Sequence, residues 1–130
     1  MTFDAIGIAG TALTVHRKWL DADADNIANV NTAKPTSGAA FQAHYVNAVE
    51  GAGGTGVHVA GISLGDAQGR LVHDPANPLA DAEGYVRMPD IDLGSQMSQL
   101  IMAQRGYQAN AAVVERAKSS YEAALQIGKS

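Results

Sequence analysis

The first thirty residues carry large apolar side chains at a regular seven-residue spacing: Ile6, Leu13, Leu20 and Ile27. This spacing places them on one stripe of a helix, as in the packing seam of paired helices. No proline interrupts the segment. We therefore predict an N-terminal helix over residues 1–32 that packs through this stripe.

The last forty residues repeat the pattern more strongly. The stripe there consists of Leu93, Leu100, Tyr107, Val114 and Tyr121, with Met97, Ala111 and Leu125 at the four-residue step. Within the C-terminal segment 90–128 it predicts a helix from about Asp90 to Gln126, which at 1.5 Å per residue is about 55 Å long. A helix of that length needs a long partner, and we expect the N-terminal helix to be that partner.

The residues between the helices alternate between short strand patterns and turns. Pro35 and Gly38 indicate a loop, and the predicted strands are 41–50, 57–64, 70–74 and 84–89. We predict an α+β fold in which the terminal helices pair as a coiled-coil-like hairpin. A small antiparallel β-hairpin region over 41–89 lies between them, and residues 1–130 form a single structural unit.

The composition leaves little material for a core. Apolar residues make up 46% of the chain, but aromatic residues only 5%, and Trp19 is the single tryptophan. Large side chains supply most of the free energy of burial, so a core rich in alanine is weak. We expect the chain to associate in order to bury more surface.

The charge pattern excludes several classes of protein. A net charge of -4, with nine basic residues scattered singly, does not provide the clustered basic surface that nucleic acids require.

The absence of cysteine excludes disulfides and thiolate zinc sites. The apolar stretch 5–15 follows Asp4 and precedes Arg17 and Lys18, the reverse of the order in a cleaved signal peptide, and it is too short to span a membrane.

The acidic run "DADADNIANVNT", residues 21–32, has two interpretations. Asp21, Asp23 and Asp25 occupy positions 1, 3 and 5 of a calcium loop, but Asn26 stands where that loop needs glycine and Thr32 where it needs glutamate. The helical stripe also continues through the run. We favour the end of a helix, with Asp23 and Asp25 solvated or paired with basic groups on an adjacent subunit.

The glycine and histidine patterns do not identify a cofactor. Gly51, Gly53 and Gly56 match G-x-G-x-x-G, but a strand follows instead of a helix, so a hairpin turn is the better interpretation. No cofactor and no catalytic group are predicted.

The four histidines, His16, His44, His58 and His73, do not have the spacing of metal ligands on one helix, although a hairpin could bring His44 and His58 together. A small metal- or ligand-binding module that uses the acidic run and the histidines remains the alternative function.

Amide side chains flank both stripes, including Asn26, Asn29 and Asn110. They could lie on solvated helix surfaces or cap a helix end. They could instead form hydrogen bonds between packed helices and fix the register of the pair. The pattern alone leaves both possibilities open.

Three segments resemble a known family, the flagellar rod and hook proteins. "GTALTVHRKWLDADADNIANVNT" (10–32) is similar to their N-terminal signature, which closes on N-I-A-N-x-N-T, and "RGYQANAAVVERAKSSYEAALQIG" (105–128) is similar to their C-terminal signature. The middle segment "DPANPLADAEGYVRMPDIDL" (74–93) resembles a stretch that marks one member. The resemblance covers essentially the whole chain, in order.

The resemblance implies a structural subunit of the proximal rod of the bacterial flagellum, not an enzyme. It implies export through the flagellar type III apparatus without a cleaved signal peptide and polymerisation in the periplasm into the torque-transmitting shaft. The implied partners are further copies of the chain, the rod proteins FlgB, FlgF and FlgG, and the ring-rod adaptor FliE. Neither nucleic-acid binding nor membrane insertion is implied.

Overall fold

A computed structural model describes the backbone of residues 2–129 and the side chains of residues 4–129. In chain order the elements are α1 (Thr2–Ala28), β1 (His44–Glu50), β2 (Val57–Leu64), β3 (Arg70–His73), β4 (Tyr85–Met88) and α2 (Leu93–Ile127). The α+β class is confirmed: two helices enclose two small antiparallel strand pairs in the sequence. Neither helix, over the residues described, is long and apolar enough to cross a membrane.

The two helices pair in an antiparallel manner. Asn26, near the end of α1, is hydrogen-bonded to Gln96, near the start of α2. Ten residues earlier in α1, His16 lies against Gly106 of α2. Because α2 has 35 residues and α1 has 27, continuing this pairing brings Thr2 opposite about residue 120. The last two turns of α2 therefore run past the start of α1.

Local capping explains where both helices end. The Asp92 side chain accepts a hydrogen bond of 2.8 Å from the Ser95 N–H, so α2 begins at Leu93, slightly later than predicted. At the other boundary α1 ends at Ala28, four residues before the predicted limit. The Asn29 N–H still donates to the Asp25 carbonyl oxygen at 3.1 Å, and a turn follows.

The interior of the molecule is built mainly from small side chains. The buried apolar residues are Ala9, Val15, Ala22, Ala40, Ala43, Val86, Ile91 and Ala103. Five of these eight are alanine, and three of the five, Ala9, Ala22 and Ala103, lie in the helices, so the helix pair buries little apolar area per residue. The described α2 residues that face α1 are mostly small. A coiled-coil seam of large side chains is therefore not confirmed and remains a prediction.

The first strand pair is a hairpin attached to α1. β1 and β2 pair from His44↔Leu64 to Glu50↔Val57, with a bulge between Asn47 and Ala48. The predicted glycine turn joins them and includes a short 3-10 turn over Ala52–Gly54. The Trp19 indole N–H donates to the Val46 carbonyl oxygen at 3.0 Å, which fixes the hairpin against α1.

The second strand pair forms a separate sheet, not an extension of the first. β3 and β4 pair from Arg70↔Met88 to His73↔Tyr85. The loop over 31–40 folds onto this sheet: the Lys34 N–H donates to the Arg87 carbonyl oxygen at 2.8 Å and the Arg87 N–H donates back at 2.9 Å. Asp81 accepts hydrogen bonds from the Tyr85 N–H and the Thr36 hydroxyl, and these lower the pKa of its carboxyl.

The accessible surface is large for the mass of the chain. It measures 8314 Å². A compact monomer of 13.4 kDa is expected to expose about 6,500 Å². The excess of about 1,800 Å² is roughly twice the ~800 Å² that each partner buries in a standard protein–protein interface. The shape and the thin core are both those of a subunit that completes its burial in an assembly.

Candidate assembly interface

Asn26 connects α1, α2 and β1 at one buried point. Its side-chain N–H groups donate to the Gln96 side-chain oxygen and to the His44 carbonyl oxygen, both at 2.9 Å. Its own oxygen accepts from the His44 N–H at 2.8 Å. Asn26 is fully buried and Gln96 is 2% exposed, so the hydrogen bond between these two side chains is shielded from water, whereas the two bonds to His44 are partly buried. The Asn26 side chain therefore joins the two helices, and its role in fixing their register stays a prediction.

The other two predicted amides act locally. Asn29 donates to the carbonyl oxygen and the carboxylate of Asp25, at 2.9 Å and 3.2 Å, at the end of its own helix. Asn110 donates to the Gly106 carbonyl oxygen at 2.8 Å, also within its own helix. Of the three, Asn26 alone bonds to another element of the fold through its side chain in the described part of the chain.

The large apolar residues of the two predicted stripes lie in different surroundings. Ile6, Leu13, Leu20 and Ile27 of α1 are half-buried, and so are Leu100 and Val114 of α2. On α2 the others are exposed: Leu93 by 42%, Met97 by 50%, Tyr107 by 36%, Tyr121 by 40% and Leu125 by 47%. The role of all these residues in assembly stays a prediction, since the single chain buries them only in part.

A second stripe on α2, with the same seven-residue spacing, faces α1 instead. It consists of Gln96, Ala103, Asn110 and Ala117, each buried or half-buried. Small side chains here let the helices approach closely, and the large residues are then displaced toward the outer surface. Sequence reasoning overlooked this stripe, although its spacing and its content of alanine were visible signals.

At Gly106 the His16 side chain of α1 packs directly against the backbone of α2. A Cβ atom built at Gly106 would overlap the His16 ring. That ring is held in place, because its Nδ1 lies 2.8 Å from the Ala12 carbonyl oxygen and its edge contacts Trp19 at a centroid distance of 5.1 Å. The glycine thus serves close packing, despite its low helix propensity.

We expect Gly106→Ala to destabilise the subunit by about 1–3 kcal/mol, because the methyl group forces His16 and α1 to move. Gly10→Ala is the matched control, since it also lies in a helix but has no atom within 4 Å of the added Cβ. That substitution should stabilise by about 0.5–1 kcal/mol through helix propensity. Urea unfolding of the purified variants measures both, and equal stabilisation by the two would contradict the close-packing role.

The acidic run is helical, as favoured, and its three carboxylates point to different surroundings. Asp25 has a partner in its own chain, because its Oδ2 lies 3.0 Å from Nδ1 of His44. Asp21 is exposed and Asp23 is buried. Within the described residues, no group of three potential ligands could hold a metal ion.

The histidines are separated by the register of the first hairpin. His44 pairs with Leu64 and His58 with Val49, so these two histidines lie toward opposite ends of the hairpin. The possibility that the hairpin brings them together is therefore wrong. Within the part of the chain that the structure describes, nothing favours the metal-binding alternative.

Comparison with known proteins agrees with the sequence signatures. A family model described as flagellar basal body rod FlgEFG protein C-terminal matches residues 82–127, the segment that contains β4 and α2. Flagellar basal-body rod protein FlgC of Escherichia coli O6:H1 is 40% identical over 126 residues, covering 94% of both chains. The Salmonella typhimurium protein of that name is 38% identical with the same coverage, and the Bacillus subtilis protein is 31% identical over 98% of both chains.

The chain belongs to the FlgC family of flagellar basal-body rod proteins. It is therefore a structural subunit of the flagellar basal body, not an enzyme. Membership in the FlgC family also implies assembly with other rod components. The exposed stripe of α2 and the excess of accessible surface are properties that such a subunit needs.

Proposed function

We propose that the chain polymerises through α1 and α2 into the proximal rod, the shaft that transmits torque across the periplasm. The observation that carries this proposal is the row of exposed apolar side chains along α2, which includes Met97, Ile101 and Met102 at 50%, 48% and 71% exposure. A row of exposed apolar side chains on a subunit with a small core is typical of a surface that another chain covers.

Rigidity follows from packing of this type. When long helices pack side by side, any slip between neighbours removes many van der Waals contacts at once, so the joint resists shear. The Asn26 network adds a fixed register inside each subunit. Together they would give a subunit that passes torque on without rotating internally.

The proposal includes specific neighbours and a route. The partners are further copies of the chain, FlgB, FlgF, FlgG and the ring-rod adaptor FliE. The route is export through the flagellar type III apparatus with the N-terminal segment retained. Retention is supported by the packing of α1, because Ala9 and Val15 lie in the stretch 5–15 and are 4% and 2% exposed. Cleavage within that stretch would remove part of the helix pair.

Fractionation of flagellar basal bodies tests the proposal. In a strain that lacks the gene, rods should be absent, and re-expression of the chain should restore motility. The protein should then be recovered in purified, detergent-washed basal bodies with its N-terminal segment intact. Recovery in the cytosol alone, with normal rods in the deletion strain, would contradict the proposed function.

A further inference from the structure

A cavity of about 290 Å³ lies where α1, β1 and α2 meet. Its walls include the apolar surfaces of Trp19, Tyr45, Val46, Met102 and Ala103. Trp19 is held by its hydrogen bond to Val46, whereas Met102 is 71% exposed at the rim. The cavity therefore has a wall that is held in place at Trp19, and it opens to the outside of the helix pair.

Asp23 lines this cavity and is an unusual residue to find there. It is 6% exposed, yet within the described part of the chain its carboxylate has no hydrogen-bond or ion-pair partner. Burial raises the pKa of the Asp23 carboxyl above the ordinary 3.8. Partial loss of hydration disfavours the charged form of this carboxylate, and a cation placed in the cavity would favour it.

The two histidines on the cavity wall do not supply that cation. His44 is paired with Asp25. His16 is placed between the Ala12 carbonyl oxygen and Gly106. Among the described residues, neither ring forms an ion pair with Asp23. The cavity thus combines an acid at its wall with apolar sides, which suits the alkyl stem and charged head of arginine or lysine.

The complementary charge lies at the other end of the helix pair. Residues 116–129 contain Arg116, Lys118 and Lys129 against the single acid Glu122, and all four are exposed. Lys118 and Glu122 form a loose ion pair of 3.9 Å on the surface. The segment lies about 30 Å along α2 from the cavity, too far to reach the Asp23 of the same chain.

We infer that Asp23 receives a basic side chain from residues 116–129 of a second copy of this chain. The acidic cavity of one subunit then meets the basic end of the next, a head-to-tail contact that repeats without closing on itself. Contacts of this kind build open helical assemblies, not dimers. The inference rests on the proposed function and names one contact within it.

Charge reversal tests the contact in the deletion strain. Asp23→Lys should reduce the number of rods at least 10-fold, whereas Asp21→Lys, the same charge change at an exposed position two residues away, should leave it within 2-fold. Adding Arg116→Asp, Lys118→Asp or Lys129→Asp to the Asp23→Lys chain should restore rods in one of the three combinations, because every copy carries both changes.

Three results of this experiment would overturn the inference. Normal rods with Asp23→Lys, or no restoration by any of the three reversals, overturns the inference. A suppressor that maps only to another rod protein also overturns it, because the basic partner would then not be a second copy. None of these results affects the proposed function, which the wild-type chain tests through its recovery in basal bodies.

A neutral variant separates assembly from folding. Asp23→Asn should not lower the thermal midpoint of the purified subunit, since it removes a partly dehydrated charge that has no partner within the described residues. The same variant should lower the yield of rods several-fold. A lower midpoint would show that Asp23 has a stabilising partner within its own chain, which would contradict the inference.

Discussion

Replacing Asn26 by alanine should destabilise the subunit by about 3–5 kcal/mol, a larger effect than truncation of any exposed residue of the stripes. The change removes three hydrogen bonds at once, to Gln96, to the His44 carbonyl oxygen and from the His44 N–H. The bond to Gln96 is buried and the two bonds to His44 are partly buried, and a buried polar group without a partner costs about 1–3 kcal/mol. Urea unfolding followed by circular dichroism measures the loss.

Two comparisons make the Asn26 prediction specific. Asn29→Ala, a truncation of the same type three residues later, removes only local bonds, those donated to Asp25 and the one accepted from the Thr32 hydroxyl, and should cost less than about 1 kcal/mol. A double-mutant cycle between Asn26 and Gln96 should give a coupling energy of about 1 kcal/mol or more. Equal losses for Asn26→Ala and Asn29→Ala would contradict the role of Asn26 in joining α1, α2 and β1.

The sequence predicted the elements of the fold well because each has a strong local signal. β2 was predicted at 57–64 and lies at Val57–Leu64, and the glycine turn before it forms a hairpin. Both helices follow from uninterrupted apolar periodicity. Their ends differ by a few residues because a cap at Asp92 and a turn after Ala28 decide them, and periodicity carries no information on either.

The surroundings of each helix face could not be predicted from the same signal. A seven-residue repeat identifies a stripe but does not say what that stripe contacts. On α2 two stripes have this spacing, one large and apolar through Leu93 and Tyr107, the other small through Ala103 and Ala117. The small one faces α1 because close approach of the helices leaves no room there for large side chains.

The candidate site was only partly visible for a related reason. Asn26 was singled out, but its partner Gln96 was not, because hydrogen bonds between distant segments depend on how the helices are aligned. The burial of Asp23 likewise results from packing: β1 and α2 cover one side of α1, and the alternating acids of residues 21–25 then lie on different sides of it. The spacing of the acids along the sequence does not say which of them the rest of the fold covers.

Met97→Asp should abolish rod assembly while leaving the subunit folded. Met97 is 50% exposed, so a charge there meets water in the single chain and should change its stability by no more than about 0.5 kcal/mol. In the assembled rod the same carboxylate would be buried against a neighbour without a partner, which costs several kcal/mol at each interface. Electron microscopy of basal bodies, together with thermal unfolding of the purified variant, measures the two effects.

Gln104→Asp is the matched control for Met97→Asp, because Gln104 is also exposed on α2 but is already polar. It should leave rods present, while Leu125→Asp, farther along the same stripe and 47% exposed, should remove them. If Gln104→Asp blocked assembly as fully as Met97→Asp, any charge on α2 would suffice and the apolar stripe would have no special role. If Met97→Asp and Leu125→Asp both assembled normally, the surface that neighbours cover would have to lie elsewhere than on this stripe.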